Sequence, residues 1–249
     1  MTNRLRKLRA LTVLAAFPLC ASARRADVWE GRYAMELRVG SIARVPIMGA
    51  QRSVTRSLLL VEVERRAGRL LQRQRVCDVD IDSPRLRMTV PTAFVRALAP
   101  REYPADVRGD APDRSYTADS GVDHVGYDPR LTGGALPHDA RSPGVVDSDG
   151  DGAPGATVVA HFPVVGQVRF FVAQRAHVVL HGRRTSDDRV EGDVEVRLLE
   201  QRTLGASNRM FARTLPLRPD PASSRFTMVR TDAAGCDALI KDARTIFAR

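Results

Sequence analysis

The stretch Val190-Glu191-Gly192-Asp193-Val194-Glu195-Val196-Arg197-Leu198 decides the fold. Val194, Val196 and Leu198 fall on one side of an extended chain, and Asp193, Glu195 and Arg197 fall on the other. A period of two is the mark of a strand with one apolar face and one wet face. Working outward, Ala156 to Phe162, Gln167 to Ala173 and His177 to Gly182 are rich in valine and phenylalanine, with breaks at Gly166 and Gln174-Arg175. Phe226 to Arg230 adds a late strand. Nearer the start, Arg32 to Val39 alternates, with Tyr33, Met35, Leu37 and Val39 on one face. Val54 to Glu64 and Leu70 to Ile81 are longer and joined by a turn at Ala67-Gly68, and Arg85 to Val90 follows. Two helices are predicted: a short one over Thr92 to Leu98 capped by Thr92, and a tail helix capped by Thr231 or Asp232. In the tail Cys236, Leu239, Ile240, Ala243, Ile246 and Phe247 recur at helical spacing.

The expectation is an all-β single domain over residues 24–249, an antiparallel barrel or sandwich of about eight to ten strands with a C-terminal helix. Trp29, the only tryptophan, plugs one end of the core together with Tyr33. A strand succession ending in a helix tied back by a disulfide resembles lipocalin-type barrels in outline, although Trp29 lacks the Gly-x-Trp context of that family.

Residues 1–23 have the three parts of a secretory signal peptide: a basic start, the apolar run Ala10 to Phe17, and the small-residue site Ala21-Ser22-Ala23. The run is shorter than the roughly 20 residues a spanning helix needs, so no transmembrane segment is expected. Phe17-Pro18-Leu19 before Cys20 does not match a lipoprotein leader, which argues against a lipid anchor there. The expected location is periplasmic or extracellular. Cys77 and Cys236 then remain as one possible pair, and an oxidising compartment favours their disulfide. Closing so long a loop stabilises by on the order of 4 to 5 kcal/mol in the chain-entropy model.

The formal charge of +10 falls to +6 once Arg4, Arg6, Lys7 and Arg9 leave with the leader. The remaining arginines are spread along strands, without the basic groove interleaved with aromatics that nucleic acid requires, so no nucleic-acid partner is expected.

From Arg101 to Gly155 the composition changes. Eleven acids stand against five arginines. Pro104, Pro112, Pro129, Pro137, Pro143 and Pro154, with many glycines, predict an insertion without regular structure over most of 101–155. Within it lies Asp147-Ser148-Asp149-Gly150-Asp151-Gly152-Ala153-Pro154-Gly155. Carboxylates at alternate positions followed by a glycine let one tight loop aim several hard oxygens at one cation.

This run resembles the Asp-x-Asp-x-Asp-Gly opening of EF-hand, dockerin and thrombospondin type 3 calcium loops. The resemblance implies a structural calcium ion held by Asp147, Asp149 and Asp151, with Gly152 at the sharp turn and Ala153 offering its carbonyl. The twelfth position is Val158 rather than the bidentate glutamate of an EF-hand, so further ligands come from elsewhere, with Asp128 and Asp139 as candidates. The wider Asp-Gly-Asp-Gly-x-Pro-Gly-x-Thr pattern is also similar to that of exported bacterial β proteins of unassigned function.

Other constellations carry less. His177 and His181 are four apart on a strand, a span of roughly 13 Å that one ion cannot bridge. Asp119-Ser120-Gly121, with His124 nearby, reads as a turn rather than a nucleophile. The functional expectation is a non-catalytic binding or envelope-associated module, taking an apolar or envelope-derived ligand in a cavity lined by residues such as Tyr33, Met35, Phe170 and Val196. The alternative is a secreted calcium-stabilised hydrolase working through carboxylates of the acidic insertion.

Overall fold

The computed structural model describes residues 29–45, 49–108 and 115–248. The expected leader and Cys20 lie outside the described residues. Eleven strands are formed among them: β1 (Gly31–Val45), β2 (Gly49–Arg66), β3 (Arg69–Asp82), β4 (Arg87–Thr89), β5 (Arg101–Arg108), β6 (Ser115–Val125), β7 (Ala156–Phe162), β8 (Gly166–Ser186), β9 (Arg189–Ala206), β10 (Leu217–Pro219) and β11 (Arg225–Arg230). The three helices are α1 (Thr92–Ala97), α2 (Pro129–Thr132) and α3 (Cys236–Phe247).

All of these strands belong to one antiparallel sheet. Taken in chain order, β1, β2, β3, β5, β6, β8, β9 and β11 each pair with the next, and β11 returns to β1. The sheet thus curls into a barrel-like circuit. It falls short of a regular barrel, because some joints are brief: β5 meets β6 only from Ala105 opposite Ala118 to Arg108 opposite Ser115. A second bridge, β3 to β4 to β7 to β8, runs beside the circuit.

Alternation fills the inside. Tyr33 and Met35 of β1, Leu59, Val61 and Val63 of β2, Tyr116 of β6, Leu180 of β8, Val194 of β9, and Phe226 and Met228 of β11 form one buried cluster. Val196 packs at its edge. Trp29 is 2% exposed, its ring stacked 5.8 Å from that of Tyr116, which in turn lies 6.1 Å from Phe226. Trp29 is therefore a core plug, as the sequence predicts. Phe170 lies apart from this cluster, its ring 6.4 Å from that of Phe211.

Three local expectations are corrected. Residues 101–108 and 115–125 are not irregular: they form β5 and β6. Pro104 is tolerated because it stands opposite Leu71 of β3 while the β6 pairing begins one residue later, at Ala105. The predicted break at Gln174-Arg175 is absent, and β8 runs unbroken for 21 residues. Its polar pair is held by neighbours, with Arg175 paired to Glu200 of β9 at 2.6 Å and donating to the Gly134 carbonyl. Neither predicted helix cap forms. Thr92 is already inside α1, whose N-cap is Pro91, and α3 starts after Gly235 without a side-chain cap.

The tail helix does what its spacing predicts. Leu239 and Ala243 of α3 pack on Ala34 and Leu58, on the outer face of β1 and β2. The Cys77–Cys236 disulfide ties its first turn to β3.

Two outcomes follow. Cys236→Ala removes the tie without adding bulk, so urea unfolding should show a loss of stability of a few kcal/mol, about the loss produced by reductant in the parent. At the β2–β3 turn Ala67 has φ 49° and Gly68 φ 81°, and an alanine is strained in that conformation. Ala67→Asn should therefore raise stability by roughly 1 kcal/mol in the same assay.

Candidate metal centre

Between Gly126 and Gly155 the chain leaves the sheet and packs as a lobe on the outside of β8 and β9. Tyr127 meets Ala173 and Leu204 there, with Leu136, Val145 and Phe171 around them. Backbone ties hold the lobe's base. The Val146 amide donates to the Gly126 carbonyl, the Gly155 amide to the Val146 carbonyl, and the Ser148 amide to the Gly155 carbonyl at 2.8 Å. A tight loop, residues 147–155, is thereby closed on itself immediately before β7.

The three expected carboxylates converge inside that loop. Asp147, Asp149 and Asp151 each offer an oxygen, all within 4.8 Å of one another, and together they could hold a metal ion. Each carboxylate is oriented by a different part of the backbone. Asp147 Oδ1 accepts from the Gly150 and Asp151 amides and its Oδ2 from the Gly152 amide. These amides, that of Gly152 first, hold the Asp147 carboxyl below the usual aspartate range. Asp151 Oδ1 accepts from the Ala153 amide at 2.8 Å, and its Oδ2 accepts from the Thr157 hydroxyl at 2.8 Å. Gly152 has φ 80° and Gly155 φ 86°, and a Cβ on Gly155 would meet the Val172 carbonyl oxygen at 2.5 Å. The loop is thus pressed directly onto β8, which only glycine permits.

Asp149 is the exception. Its Oδ2 accepts from the Thr157 amide at 2.9 Å, but its Oδ1 is buried and has no hydrogen-bond partner among the described residues. Burial and the neighbouring Asp151 and Asp147 carboxylates push its pKa up. A buried carboxylate oxygen without a donor is costly in a chain that folds around water alone, and it is the atom a cation would satisfy.

Ala153 enters the loop through its amide. Asp128 and Asp139, the candidate extra ligands, do not join the cluster, because each is used locally. Asp128 caps α2 and pairs with Arg130, and Asp139 accepts from the Arg141 amide and the Ser142 hydroxyl. The residue that sequence reasoning passed over is Thr157, 2% exposed, which orients two of the three acids from the second position of β7. It ends the Asp-Gly-Asp-Gly-x-Pro-Gly-x-Thr pattern, so its signal was present.

The other constellations resolve as turns and pairs. Asp119 Oδ1 accepts from the Gly121 amide, and the register slips between Asp119 and Val122, so Asp-Ser-Gly forms a turn at a β-bulge. Asp119 pairs with His177 at 2.6 Å, not with His124, and the Ser120 hydroxyl donates to the Gly121 carbonyl. His181 pairs separately with Glu195 at 2.9 Å. The two histidines therefore serve different carboxylates, as their spacing on a strand requires.

A carboxyl whose folded pKa is raised weakens the metal-free fold at pH values above its unfolded range, and that loss is relieved as pH falls through the folded pKa. Asp149→Asn removes the charge and supplies an amide that can donate to Asp147. In chelator at pH 7 this variant should melt no lower than the parent, and its melting temperature should vary less between pH 7 and pH 4. A clear drop in its melting temperature would contradict the buried-charge account.

No protein-family model matches this chain, and neither a curated protein nor a solved structure matches it.

Proposed function

We propose that the chain is an exported β-rich protein whose acidic lobe is fixed by a structural calcium ion, and that it acts as a non-catalytic, envelope-associated module. One observation carries the metal part of the reading: three carboxylates are preorganised by backbone amides and Thr157 around a buried, undonated Asp149 oxygen. Calcium is the ion of choice for such a set. All the donors are hard oxygens, calcium accepts an irregular shell completed by water, and exported proteins meet calcium at high concentration. Asp147, Asp149 and Asp151 supply three ligands, and the Ala153 carbonyl and water complete the shell. The Cys77–Cys236 disulfide is compatible with export. Among the described residues no helix is long and apolar enough to cross a membrane.

A structural role suits the position of the loop. It closes the lobe against β8 and leads straight into β7, so an ion there pins the lobe rather than lining a cleft. The alternative, a hydrolase working through carboxylates of the insertion, is less favoured because its clustered acids Asp147, Asp149 and Asp151 are turned onto the backbone amides and Thr157 of their own loop.

The test is calorimetric titration of calcium into chelator-treated residues 24–249, which contain every described strand and helix, with melting followed in parallel. Saturation at about one hundred times the dissociation constant should stabilise by about 2.7 kcal/mol. Magnesium, which demands a stricter octahedral shell, should give a smaller rise. Asp149→Ala should abolish the response. No heat and no melting shift at millimolar calcium would refute the reading.

A further inference from the structure

At the end of β7 farthest from the acidic loop, the β7–β8 hairpin turns through Pro163, Val164 and Val165. Val164 is 97% exposed and Val165 49%. Beside the hairpin, the short helical turn Arg209–Phe211 presents Met210, 88% exposed. The two segments are joined. The Phe211 ring lies 4.7 Å from that of Phe162, the Ser207 amide donates to the Arg169 carbonyl, and the Arg169 amide donates to the Ser207 hydroxyl. The result is an apolar knob whose tip, Val164 and Met210, protrudes into solvent, while Pro163 lines a pocket at its side.

The two segments that form the knob carry charge of one sign, and the carboxylates Asp80 and Asp82 lie across the pocket that His161 and Pro163 share with β3 and β4. Arg209 and Arg213 flank Met210 and are exposed, and exposed Arg87 stands opposite His161, one residue before Phe162. No carboxylate occurs from Gly152 to Ser186 or from Gln201 to Pro219, although the whole chain carries 29.

We infer that this knob is a membrane-docking tip, in which Val164, Val165 and Met210 enter the acyl boundary of an anionic phospholipid surface while the arginines stay with the phosphates. Three features select that partner. A convex point with a fully exposed valine offers a protein partner little area, whereas a bilayer accepts protrusions. Guanidinium groups on long stems keep their charge at headgroup level while their neighbours bury. The hairpin pairs Phe162 with Gly166, so little unpaired backbone is carried into lipid. This deepens the envelope-associated reading by naming the surface involved, and it rests on that reading only for the compartment.

The experiment is co-sedimentation of residues 24–249 with vesicles of phosphatidylcholine alone or of phosphatidylcholine with phosphatidylglycerol. Binding to the anionic vesicles, falling as salt is raised, is expected. The double variant Val164→Asp, Met210→Glu should bind at least about tenfold more weakly. The pair Arg209→Gln, Arg213→Gln should lose the preference for phosphatidylglycerol. Both variants change exposed side chains, so their melting curves and calcium heats should match the parent, and Asp149→Ala should still bind vesicles. These controls separate failure of the tip from failure of the metal site. Equal binding by the Val164→Asp, Met210→Glu variant, no binding to anionic vesicles, or a dimer in sedimentation velocity that this variant dissolves would each overturn the inference.

Discussion

The β11 strand pairs with β1 on one side and with β9 on the other, and the barrel-like circuit depends on that double pairing. Without it β1 and β9 would both present open edges, and the sheet would be left as a curled, unclosed ribbon. Only six residues do this, Arg225–Arg230, but their alternation places Phe226 and Met228 in the centre of the core. Backbone pairing and apolar burial therefore coincide in one short segment. Just beyond it α3 covers the outer face of β1 and β2, so the last described helix holds the first described strands in place.

The acidic lobe follows a different logic. Its apolar contribution is small, essentially Tyr127 and its few neighbours against Ala173 and Leu204. What gives the loop its shape is hydrogen bonding directed at carboxylates. Five backbone amides and one hydroxyl converge on Asp147, Asp149 and Asp151. Such an arrangement compensates negative charge only in part. Asp147 is well satisfied, whereas Asp149 is not, and its undonated oxygen is where a cation could bind.

Much of the sheet was legible because its strands announce themselves in pairs of contrasting faces: Val194 and Val196 against Glu195 and Arg197, Tyr33 and Met35 against Arg32 and Glu36. The convergence of Asp147, Asp149 and Asp151 was legible from spacing alone. The misses have physical causes. In β5 and β6 the buried set Tyr103, Ala105, Tyr116 and Ala118 alternates properly, but proline, acids and small residues masked it, and two of the four are alanines with little apolar weight. In β8 the polar Gln174-Arg175 step looked like a break. Partners supplied from β9 and from the lobe at Gly134 cannot be seen in a local window. The helix caps failed for a similar reason: α3 is fixed by the disulfide and by Leu239 against the sheet, so it starts where those ties permit and not at the best capping residue.

The covalent link between Cys77 and Cys236 has a mechanical consequence. With the two residues separated by 159 positions in sequence, a pull between the ends of the described chain travels from α3 across the sulfur bridge into β3 and back through β2 and β1. The acidic lobe, the hairpin knob and the closing strand β11 all lie inside the bypassed span. Their covalent backbone bears no load while the bridge is intact, so only the segments outside it can be drawn out, and β11 resists that through its pairing with β1.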